Sequence, residues 1–560
     1  MRPAVFLDRD DTLIECRSVT PTGDLGDPAL VALKPGVARG VAALKQAGYA
    51  LVVVSNQGGV ARGAYRLDDA HRVNARVDEL LGGVVDAFRI CPYHPAGAVP
   101  EFTREHPWRK PAPGMILDAA EALSVDLARS WMVGDAERDC RAGRAAGCRT
   151  VWIADPPPDP ADAADVVAAD FTAAVRAILS TDGSPQGAGA LPAAARRVLV
   201  VAPSWVGDAV MATPALGALR QRLPGALVGV LAKPGLDAVY EGSGLFDEIH
   251  IDSRAGMMGV KRAAAKVRPI RYDTALLLAN SLSTALLARL AGIPRRVGDG
   301  RDGRSLLLTD SMRAPTRADT PPFDRERSGR SRYAPRSACD HYMALVRVLL
   351  NDPLIEPGPL KLGLTEAQRE AGDALLDRAG VGDRPFVVIN PGGNNPAKRW
   401  PADRFTDLAR WLESDRGLAV VVTGSPAEGG LAASIVAGAG LPTERALPGL
   451  GLTLGAVKRV LDRADLLVTN DTGPRHITAA FGTPVVTLFG PTDPRWTTIP
   501  FDAERHVTAG HDLPSHLVAD DHPDRCRIDR IDPGSVRAAI GALLDERRGA
   551  ARFTSGSSVS

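Results

Sequence analysis

The sequence predicts an α/β protein built from several parallel sheets, each covered by helices. Short apolar runs such as AVFL, LVVVS, RVLVVA and FVVIN recur along the 560 residues, separated by stretches rich in Ala, Leu and Arg. These runs do not alternate apolar with polar residues, which is typical of strands buried on both faces of a parallel sheet. One segment, STDGSPQGAGALPAAA, interrupts the pattern and has little to bury.

That segment and a second, less sharp break near 352–370 predict the domain organisation. A Gly-, Ser- and Pro-rich composition is typical of a flexible linker, and the polar ending FTSGSSVS predicts a disordered tail. We expect five parts: a first α/β domain at 1–179, a linker at 180–196, a second α/β unit at 197–360, a third at 361–548 and the tail at 549–560.

Composition excludes some functional classes. With 67 basic and 66 acidic residues the net charge is +1, which gives no overall attraction to nucleic acid. Six cysteines without a repeated spacing indicate a reducing compartment. The start MRPAVFLDRDD is not that of a signal peptide, and no run of about 18 apolar residues predicts a membrane span. We expect a cytoplasmic protein and leave peripheral contact with a membrane surface open.

The first strand is followed by clustered acids. In FLDRDDTLIEC, Asp8, Asp10, Asp11 and Glu15 come within eight residues, with Thr12 among them. Loops after parallel strands converge on one ligand site. Carboxylates are tolerated there if a divalent cation sits among them, and Mg²⁺ prefers one or two carboxylates together with phosphate oxygens.

Later strand ends supply matching groups. VVVSNQGG offers Ser55 and Asn56, WRKPAPGM carries Lys110, and WMVGDAERD ends in Asp135 and Asp139. A nucleophilic Asp, an Asp acting as acid and base, a Lys and a distant metal-binding Asp make a phosphoryl-transfer site. Each motif alone also fits a solvated turn, but the four in this order favour the site.

This order resembles the haloacid dehalogenase phosphatases, and within them the D,D-heptose 1,7-bisphosphate phosphatase and histidinol-phosphatase branch, over nearly all of residues 1–155. The resemblance implies Asp8 as nucleophile and Asp10 as general acid and base. It implies a Mg²⁺ site at Asp8, Asp10 and Asp135. The implied phosphate and substrate contacts are Thr12, Ser55, Asn56, Arg109 and Lys110.

Two features depart from that branch. Asp11 stands where the branch usually has Gly, which adds a charge near the nucleophile. The branch often carries a zinc loop, but here Tyr93, His106 and Trp108 stand where three ligands would follow Cys91. Trp and Tyr do not replace Cys or His in a tetrahedral site, so we expect no zinc. A site built from Cys91, His94 and His106 is the less favoured alternative.

The second and third units carry a different set of motifs. Asp208, in PSWVGDAVMATPAL, opens a helix, and local sequence alone favours a helix cap over a catalytic role. NPGGNNPAKRWP places glycines, asparagines and Lys398 after a strand, which suits a diphosphate. NDTGPRHITAA places Asp471, Thr472, Gly473 and His476 at a helix start. Two Rossmann-like units with nucleotide-binding loops in the second indicate a GT-B glycosyltransferase.

These stretches resemble the ADP-heptose:lipopolysaccharide heptosyltransferases, mainly type II, over most of 197–545. The resemblance implies an inverting transfer that needs no metal or other cofactor. Asp208 would be the base on the acceptor hydroxyl, and Lys398 would stabilise the departing ADP. The implied donor-binding residues are Asn394, Lys398, Glu428, Asp471, Thr472, Gly473 and His476.

The two resemblances together predict a bifunctional enzyme of lipopolysaccharide-core heptose. Its expected ligands are heptose 1,7-bisphosphate, ADP-heptose and an inner-core acceptor of the Kdo-lipid A type. Three alternatives stay open: a phosphatase for another small phosphate such as histidinol phosphate, an inactive scaffold in the first domain, or a nucleotide-sugar binding module in the rest. The arginine-rich segment 295–336 fits either contact with the anionic acceptor or a solvated loop.

Overall fold

A computed structural model describes residues 2–20, 22–157, 164–181, 195–254, 258–301, 303–312, 333–509, 513 and 517–555, with side chains to 547. Most of the expected linker and residues 313–332 of the arginine-rich segment lie outside these ranges. The chain divides into two compact units: residues 1–192 with 351–354, and residues 193–350 with 355–560. None of the helices in the described ranges combines the length and apolarity needed to cross a bilayer.

Unit 1 contains one six-stranded parallel sheet with strand order β3-β2-β1-β4-β5-β6. Strand β1 is buried on both faces, with Ala4 and Phe6 in one apolar cluster and Val5 and Leu7 in another, which explains its unbroken apolar run. The strands are β1 (Ala4–Leu7), β2 (Ala50–Asn56), β3 (Ala87–Cys91), β4 (Trp131–Gly134), β5 (Arg149–Ile153) and β6 (Val166–Ala168). The helices are α1 (Val37–Gln46), α2 (Gly58–Arg62), α3 (Leu67–Leu80), α4 (Gly114–Leu123), α5 (Glu137–Ala145) and α6 (Phe171–Thr181).

Unit 2 begins with an N-terminal lobe around a second parallel sheet of order β12-β11-β10-β7-β8-β9. Its strands are β7 (Arg197–Val201), β8 (Leu227–Ala232), β9 (Glu248–Ile251), β10 (Thr274–Leu277), β11 (Arg295–Asp299) and β12 (Asp310–Met312). Its helices are α7 (Val206–Met211), α8 (Thr213–Arg222), α9 (Asp237–Tyr240), α10 (Gly259–Val267), α11 (Leu282–Leu290) and α12 (Ala338–Leu350).

The C-terminal lobe of unit 2 holds a five-stranded parallel sheet of order β14-β13-β15-β16-β17. Its strands are β13 (Phe386–Asn390), β14 (Ala419–Val422), β15 (Leu466–Asn470), β16 (Val485–Phe489) and β17 (Glu504–Thr508). Its helices are α13 (Glu366–Arg378), α14 (Ala402–Ser414), α15 (Gly429–Gly438), α16 (Leu454–Arg463), α17 (Gly473–Ala480) and α18 (Pro533–Ser555). Helix α18 therefore runs into the segment 549–560 for which the sequence predicts disorder.

A buried lysine joins the two lobes of unit 2. Nζ of Lys458, in α16, donates to the carbonyl oxygens of Ala238 at 2.8 Å and Glu241 at 3.0 Å, at the carboxyl end of α9. It also lies 3.1 Å from Oε1 of Gln368. The last carbonyls of a helix lack partners within the helix, so a cation from the other lobe satisfies them. The three parallel sheets predicted from the sequence are confirmed. The contact between the lobes was not predicted, because Lys458 belongs to none of the sequence motifs.

Candidate active sites

Three carboxylates of unit 1 converge at the carboxyl ends of β1 and β4. One oxygen each from Asp8, Asp135 and Asp139 lies within 4.8 Å of the other two. Nζ of Lys110 lies 2.5 Å from Oδ1 of Asp8 and 2.7 Å from Oδ1 of Asp139, and it donates to the carbonyl of Val54 at 2.8 Å. The buried ammonium of Lys110 thus pairs with Asp8 and Asp139, while Asp135 lies 3.3 Å from the exposed Arg17.

The electrostatics of this group fit a divalent cation. Burial raises the pKa of Asp8 to about 8, although Lys110 opposes the shift. Burial, and then the charge of Asp139, raises the pKa of Asp135. Oδ1 of Asp135 is buried and has no hydrogen-bond partner among the described residues. Carboxylate oxygens are the ligands that Mg²⁺ takes, so the donor set matches this ion.

Asp10 lies apart from the converging group. Its carboxylate accepts hydrogen bonds from Nε of Arg9 at 2.9 Å and Nε2 of Gln57 at 2.8 Å, with Oγ of Ser55 at 3.5 Å. Arg9 is fully buried and also donates to Asn74 and Gln57. The sequence places Asp10 among the metal ligands; the structure brings Asp139 to that group instead and fixes Asp10 through a buried arginine.

The remaining predicted phosphate ligands divide into two groups. Ser55 and Thr12 are buried beside the acids, and Oγ1 of Thr12 has no hydrogen-bond partner in the described parts of the chain. The side-chain amide of Asn56 instead bonds the backbone of Lys110. It accepts a hydrogen bond from the Lys110 N–H and donates one to the Lys110 carbonyl, each at 3.0 Å. Asn56 therefore positions the backbone of Lys110, and its expected phosphate contact stays a prediction. Arg109 is half-buried and donates to the carbonyl of Tyr93 at 3.1 Å.

Asp11 does not direct its charge at the nucleophile. Its backbone has φ of 58°, in the left-handed region that favours Gly and that Asp tolerates. Its carboxylate accepts from the backbone N–H groups of Cys16 at 3.1 Å and Arg17 at 3.0 Å. The carboxylate thus closes its own turn, and its charge is among those that raise the pKa of Asp135 in the neighbouring acid group.

The loop at 91–108 is organised by aromatic packing. The rings of Tyr93 and His106 stack with centroids 4.2 Å apart, and the guanidinium of Arg104 lies 4.2 Å from the Tyr93 centroid. Nδ1 of His106 accepts from the backbone N–H of Trp108 at 3.1 Å. These contacts give the residues that replace zinc ligands a packing role. The absence of zinc stays a prediction.

In unit 2, residues from both lobes line one cavity of about 650 Å³. Asp208, at the start of α7, lies in the wall formed by the N-terminal lobe. The predicted donor-binding residues line the opposite wall: Asn394, Lys398, Glu428, Asp471, Thr472, Gly473 and His476. The structure therefore brings every predicted residue of this unit to one cavity.

Asp208 is positioned by two features of the cavity. The hydroxyl of Tyr342, in α12, donates to Oδ1 of Asp208 at 3.2 Å. Burial, and next the charge of Asp208, raises the pKa of Tyr342, so this phenol stays a donor. A Cβ on Gly207 would lie 2.8 Å from Cδ2 of His476, so glycine permits the starts of α7 and α17 to approach.

Asp471 is the centre of an ion-pair network on the C-terminal side. It lies 3.2 Å from Arg475 and 3.6 Å from Nζ of Lys398. Burial would raise its pKa, but these two cations hold that pKa below its usual value. Burial, reinforced by Arg475, lowers the pKa of His476 to about 3. The imidazole is therefore neutral near pH 7, and its Nδ1 has no hydrogen-bond partner among the described residues.

The loop that carries Lys398 is fixed by side chains from neighbouring elements. Glu428 accepts from the backbone N–H groups of Gly393 at 2.7 Å and Ser425 at 2.8 Å, so its carboxylate supports the loop while lining the cavity. Nδ2 of Asn470 donates to the carbonyls of Pro391 and Gly392. Asn390 donates to Oγ1 of Thr472 at 2.8 Å.

A second cavity of about 1040 Å³ opens within the N-terminal lobe. Trp205, Asp208, Asn280 and Tyr342 line both cavities. The polar residues found in the second cavity alone include Ser204, Lys233, Asp252, Arg254, Ser281, Ser283 and Thr284. Asp208 thus lies where the two cavities meet.

Several residues of these sites fall outside the motif interpretation. Tyr342 is 134 positions from Asp208 and belongs to an ordinary amphipathic helix. Arg301 and Arg336, from the described ends of the arginine-rich segment, line the first cavity. Arg301 is paired with the buried Asp299 at 2.5 Å. The density of arginines in the segment pointed to Arg301 and Arg336 as binding residues. Nothing in the sequence distinguishes Tyr342 from a core residue.

Both units resemble characterised families. Residues 260–516 match the model of glycosyltransferase family 9 (heptosyltransferase), and residues 107–175 match the HAD-hydrolase-like model. A D-glycero-β-D-manno-heptose-1,7-bisphosphate 7-phosphatase of Mesorhizobium japonicum is 42% identical over 156 residues, which cover 27% of this chain and 70% of that protein.

The second unit has relatives of its own. Lipopolysaccharide heptosyltransferase 2 of Escherichia coli K12 is 31% identical over 316 residues, covering 54% of this chain and 84% of that protein. The solved structure of E. coli ADP-heptose lps heptosyltransferase II superposes with a TM-score of 0.50 at 26% identity, covering 63% of this chain and 99% of the other. These matches confirm the predicted fold classes of both units.

Proposed function

Because the chain belongs to the HAD-type heptose bisphosphate phosphatases through its first unit and to glycosyltransferase family 9 through its second, we propose that it is a bifunctional enzyme of lipopolysaccharide-core heptose. One activity removes the 7-phosphate of D-glycero-D-manno-heptose 1,7-bisphosphate. The other transfers heptose from ADP-heptose to the lipopolysaccharide inner core with inversion. The observation that supports both is that each unit brings its predicted charged residues together: Asp8, Lys110 and Asp135 in unit 1, and Asp208, Lys398 and Asp471 in unit 2.

In the phosphatase, Asp8 attacks the phosphorus and forms an aspartyl phosphate, while the C7 oxygen leaves with a proton from Asp10. Water then attacks the same phosphorus, with Asp10 as base, and regenerates Asp8. Lys110 and Ser55 contact the phosphate oxygens. Asp8 and Asp135 would hold Mg²⁺, which supplies positive charge to the phosphoryl oxygens. Arg109, whose pKa the nearby charge of Arg62 helps to lower, binds the remaining phosphate.

A substrate panel tests this half. The full-length protein with Mg²⁺ should release phosphate from heptose 1,7-bisphosphate faster than from histidinol phosphate, and Asp8→Asn should abolish release. Glycosyl transfer by the Asp8→Asn variant should stay normal, because the second site lies in another unit. Preference for histidinol phosphate would support the alternative substrate. Phosphate release from none of these compounds would support an inactive scaffold.

In the transferase, Asp208 accepts the proton of the acceptor hydroxyl, which attacks the anomeric carbon of ADP-heptose from the face opposite the diphosphate. Lys398 stabilises the charge that develops on departing ADP. Asp471 orients Lys398, and neutral His476 lines the donor site. Supporting this arrangement, Asp208 borders the second cavity, where Lys233 suits an anionic saccharide acceptor and Arg254 is paired with Asp252. We expect this transfer to need no metal.

Two substitutions separate the roles of base and donor ligand. Asp208→Asn keeps the volume and the Tyr342 contact, so ADP-heptose binding should survive while turnover drops by about 10²–10⁴-fold. Lys398→Ala should weaken both donor binding and turnover. If Asp208→Asn weakened donor binding and left turnover near normal, Asp208 would be a nucleotide-side group, and the assignment of the base would fail.

We place both reactions in the cytoplasm, with peripheral contact at a membrane that carries the acceptor. The six cysteines are all free and buried, which suits a reducing compartment. The two steps are not consecutive, since the sugar phosphate must be nucleotidylated before transfer. Co-production of the two activities therefore explains the fusion better than direct channelling does.

A further inference from the structure

Exposed apolar side chains concentrate on one lobe. Eight large hydrophobic side chains of the described residues are exposed, and five belong to the N-terminal lobe of unit 2, none to its C-terminal lobe. These five are Trp205, Met258, Leu282, Leu286 and Leu306. Single exposed apolar residues need no explanation, whereas neighbouring ones on one face can mark an interaction surface.

Two adjacent helices form the centre of this surface. Helices α10 and α11 pack side by side over one face of the sheet and bury Ala264, Val267, Leu287 and Ala288 in a shared cluster. Their outer sides are exposed. We name these sides the α10–α11 face and define it by Lys261, Arg262, Lys266, Leu282, Leu286 and Arg289. The last three recur at i, i+4 and i+7, so they form one stripe along α11.

The charge of this region differs from that of the chain. From the first residue of α10 to the last of α11 there are six basic residues and one acidic residue, while the whole chain has 67 and 66. The single acid, Asp273, accepts from the backbone N–H groups of Arg196 and Arg197, so its carboxylate is engaged there. The α10–α11 face is therefore cationic with an apolar stripe, which is the pattern of interfacial helices on anionic lipid.

The same helices border the second cavity. Val260 of α10 and Ser283 and Thr284 of α11 line it together with Asp208. We propose that the α10–α11 face docks on an anionic lipid bilayer and thereby presents the second cavity to a saccharide anchored in that bilayer. This proposal rests on the proposed transfer to a lipid-linked acceptor. A soluble acidic protein would satisfy the basic groups but would not account for the leucine stripe beside the cavity.

Vesicle sedimentation of the full-length protein tests the docking directly. Phosphatidylcholine vesicles with and without about a third of phosphatidylglycerol would be compared, with no acceptor present. Wild type should bind the anionic vesicles at least tenfold better than the neutral ones. The triple variant Lys261→Glu, Arg262→Glu, Lys266→Glu should lose that difference. Leu282→Ser with Leu286→Ser should weaken binding to the anionic vesicles without changing the charge.

A matched control carries the same charge change on the other lobe. Arg369→Glu, Arg378→Glu and Arg410→Glu, all exposed on α13 and α14, should bind vesicles like wild type. Equal loss in the control variant and the α10–α11 variant would overturn the proposal, because it would reflect net charge alone. Wild-type binding that is equal on neutral and anionic vesicles would overturn it as well.

Activity separates failure of the docking from failure of the proposed function. The α10–α11 triple variant should transfer heptose poorly to an acceptor in vesicles, with KM raised at least tenfold, yet normally to the same saccharide stripped of its acyl chains. Normal transfer to the stripped saccharide also shows that the variant is folded. Equal activity of the variant on both acceptors would refute the docking. Wild type inactive on both, but bound to anionic vesicles, would refute the proposed transfer and leave the docking supported.

Discussion

Replacing Lys110 by methionine should destabilise the phosphatase unit far more than the same change at Lys45. Both lysines lie close to a carboxylate: Lys110 is 2.5 Å from Asp8 and 2.7 Å from Asp139, and Lys45 is 2.6 Å from Asp86. They differ in burial, since the Lys110 side chain is 1% exposed and that of Lys45 is 33% exposed. Methionine keeps the length of the side chain and removes the charge in each case.

The magnitudes follow from that burial. Removing one partner of a buried ion pair costs about 3–5 kcal/mol, because the other charge is left unpaired. An exposed pair contributes about 0–1 kcal/mol. Because burial already raises the pKa of Asp8 to about 8, proton uptake there can relieve part of the loss, so we expect the lower end, about 3 kcal/mol, for Lys110→Met.

Hydrogen exchange in urea measures the two variants within the full-length chain. Peptides that contain β1 and β4 report the free energy of unfolding of unit 1 alone, and phosphate release is followed in parallel. Saturating Mg²⁺ should restore part of the loss in Lys110→Met, since a cation among the three carboxylates replaces the missing ammonium. If Lys110→Met and Lys45→Met lowered the free energy of unfolding equally, the ion-pair argument would be refuted.

Three further outcomes are expected. Elemental analysis should find no stoichiometric zinc, because the loop at 91–108 lacks four ligands of suitable type; one zinc per chain would contradict this. His476→Gln should reduce the acid sensitivity of unit 2. The pKa of His476 is about 3 in the folded state and about 6.5 in the unfolded state, so the wild type loses stability as pH falls through that interval. An unchanged pH dependence of the free energy of unfolding in urea titrations would contradict this prediction. Lys458→Met should lower the melting temperature of unit 2 through unsatisfied carbonyls of α9, and an unchanged melting temperature would show that water replaces the lysine.

The sequence could predict the residues that lie in the connections following parallel strands. Asp8 and Asp471 directly follow β1 and β15, whereas Lys110 and Asp208 lie further along the connections after β3 and β7. These connections meet at one edge of each sheet whatever the side chains do. The three sheets followed from unbroken apolar runs for the same reason. These are consequences of backbone topology, which sequence pattern records well.

Side-chain direction could not be predicted in the same way. Asn56 stands beside Ser55 at the end of β2 yet bonds the backbone of Lys110. Asp139, rather than Asp10, joins the converging acids because it lies in the first turn of α5, next to the end of β4. Tyr342 reaches Asp208 across 134 positions. Each depends on how separate elements pack, and no local spacing encodes that.

The contact of Lys458 with the end of α9 has a consequence for how the transferase responds to its nucleotide. Helix α16 carries that lysine, and its neighbours Leu454 and Val457 line the donor cavity. One rigid helix therefore belongs both to the wall of the donor site and to the joint between lobes. If donor binding shifts the angle between the lobes, a shift in that angle must in turn change donor affinity by the same coupling free energy. A ligand that binds only at the contact between Lys458 and α9 would then change the affinity of the protein for the nucleotide.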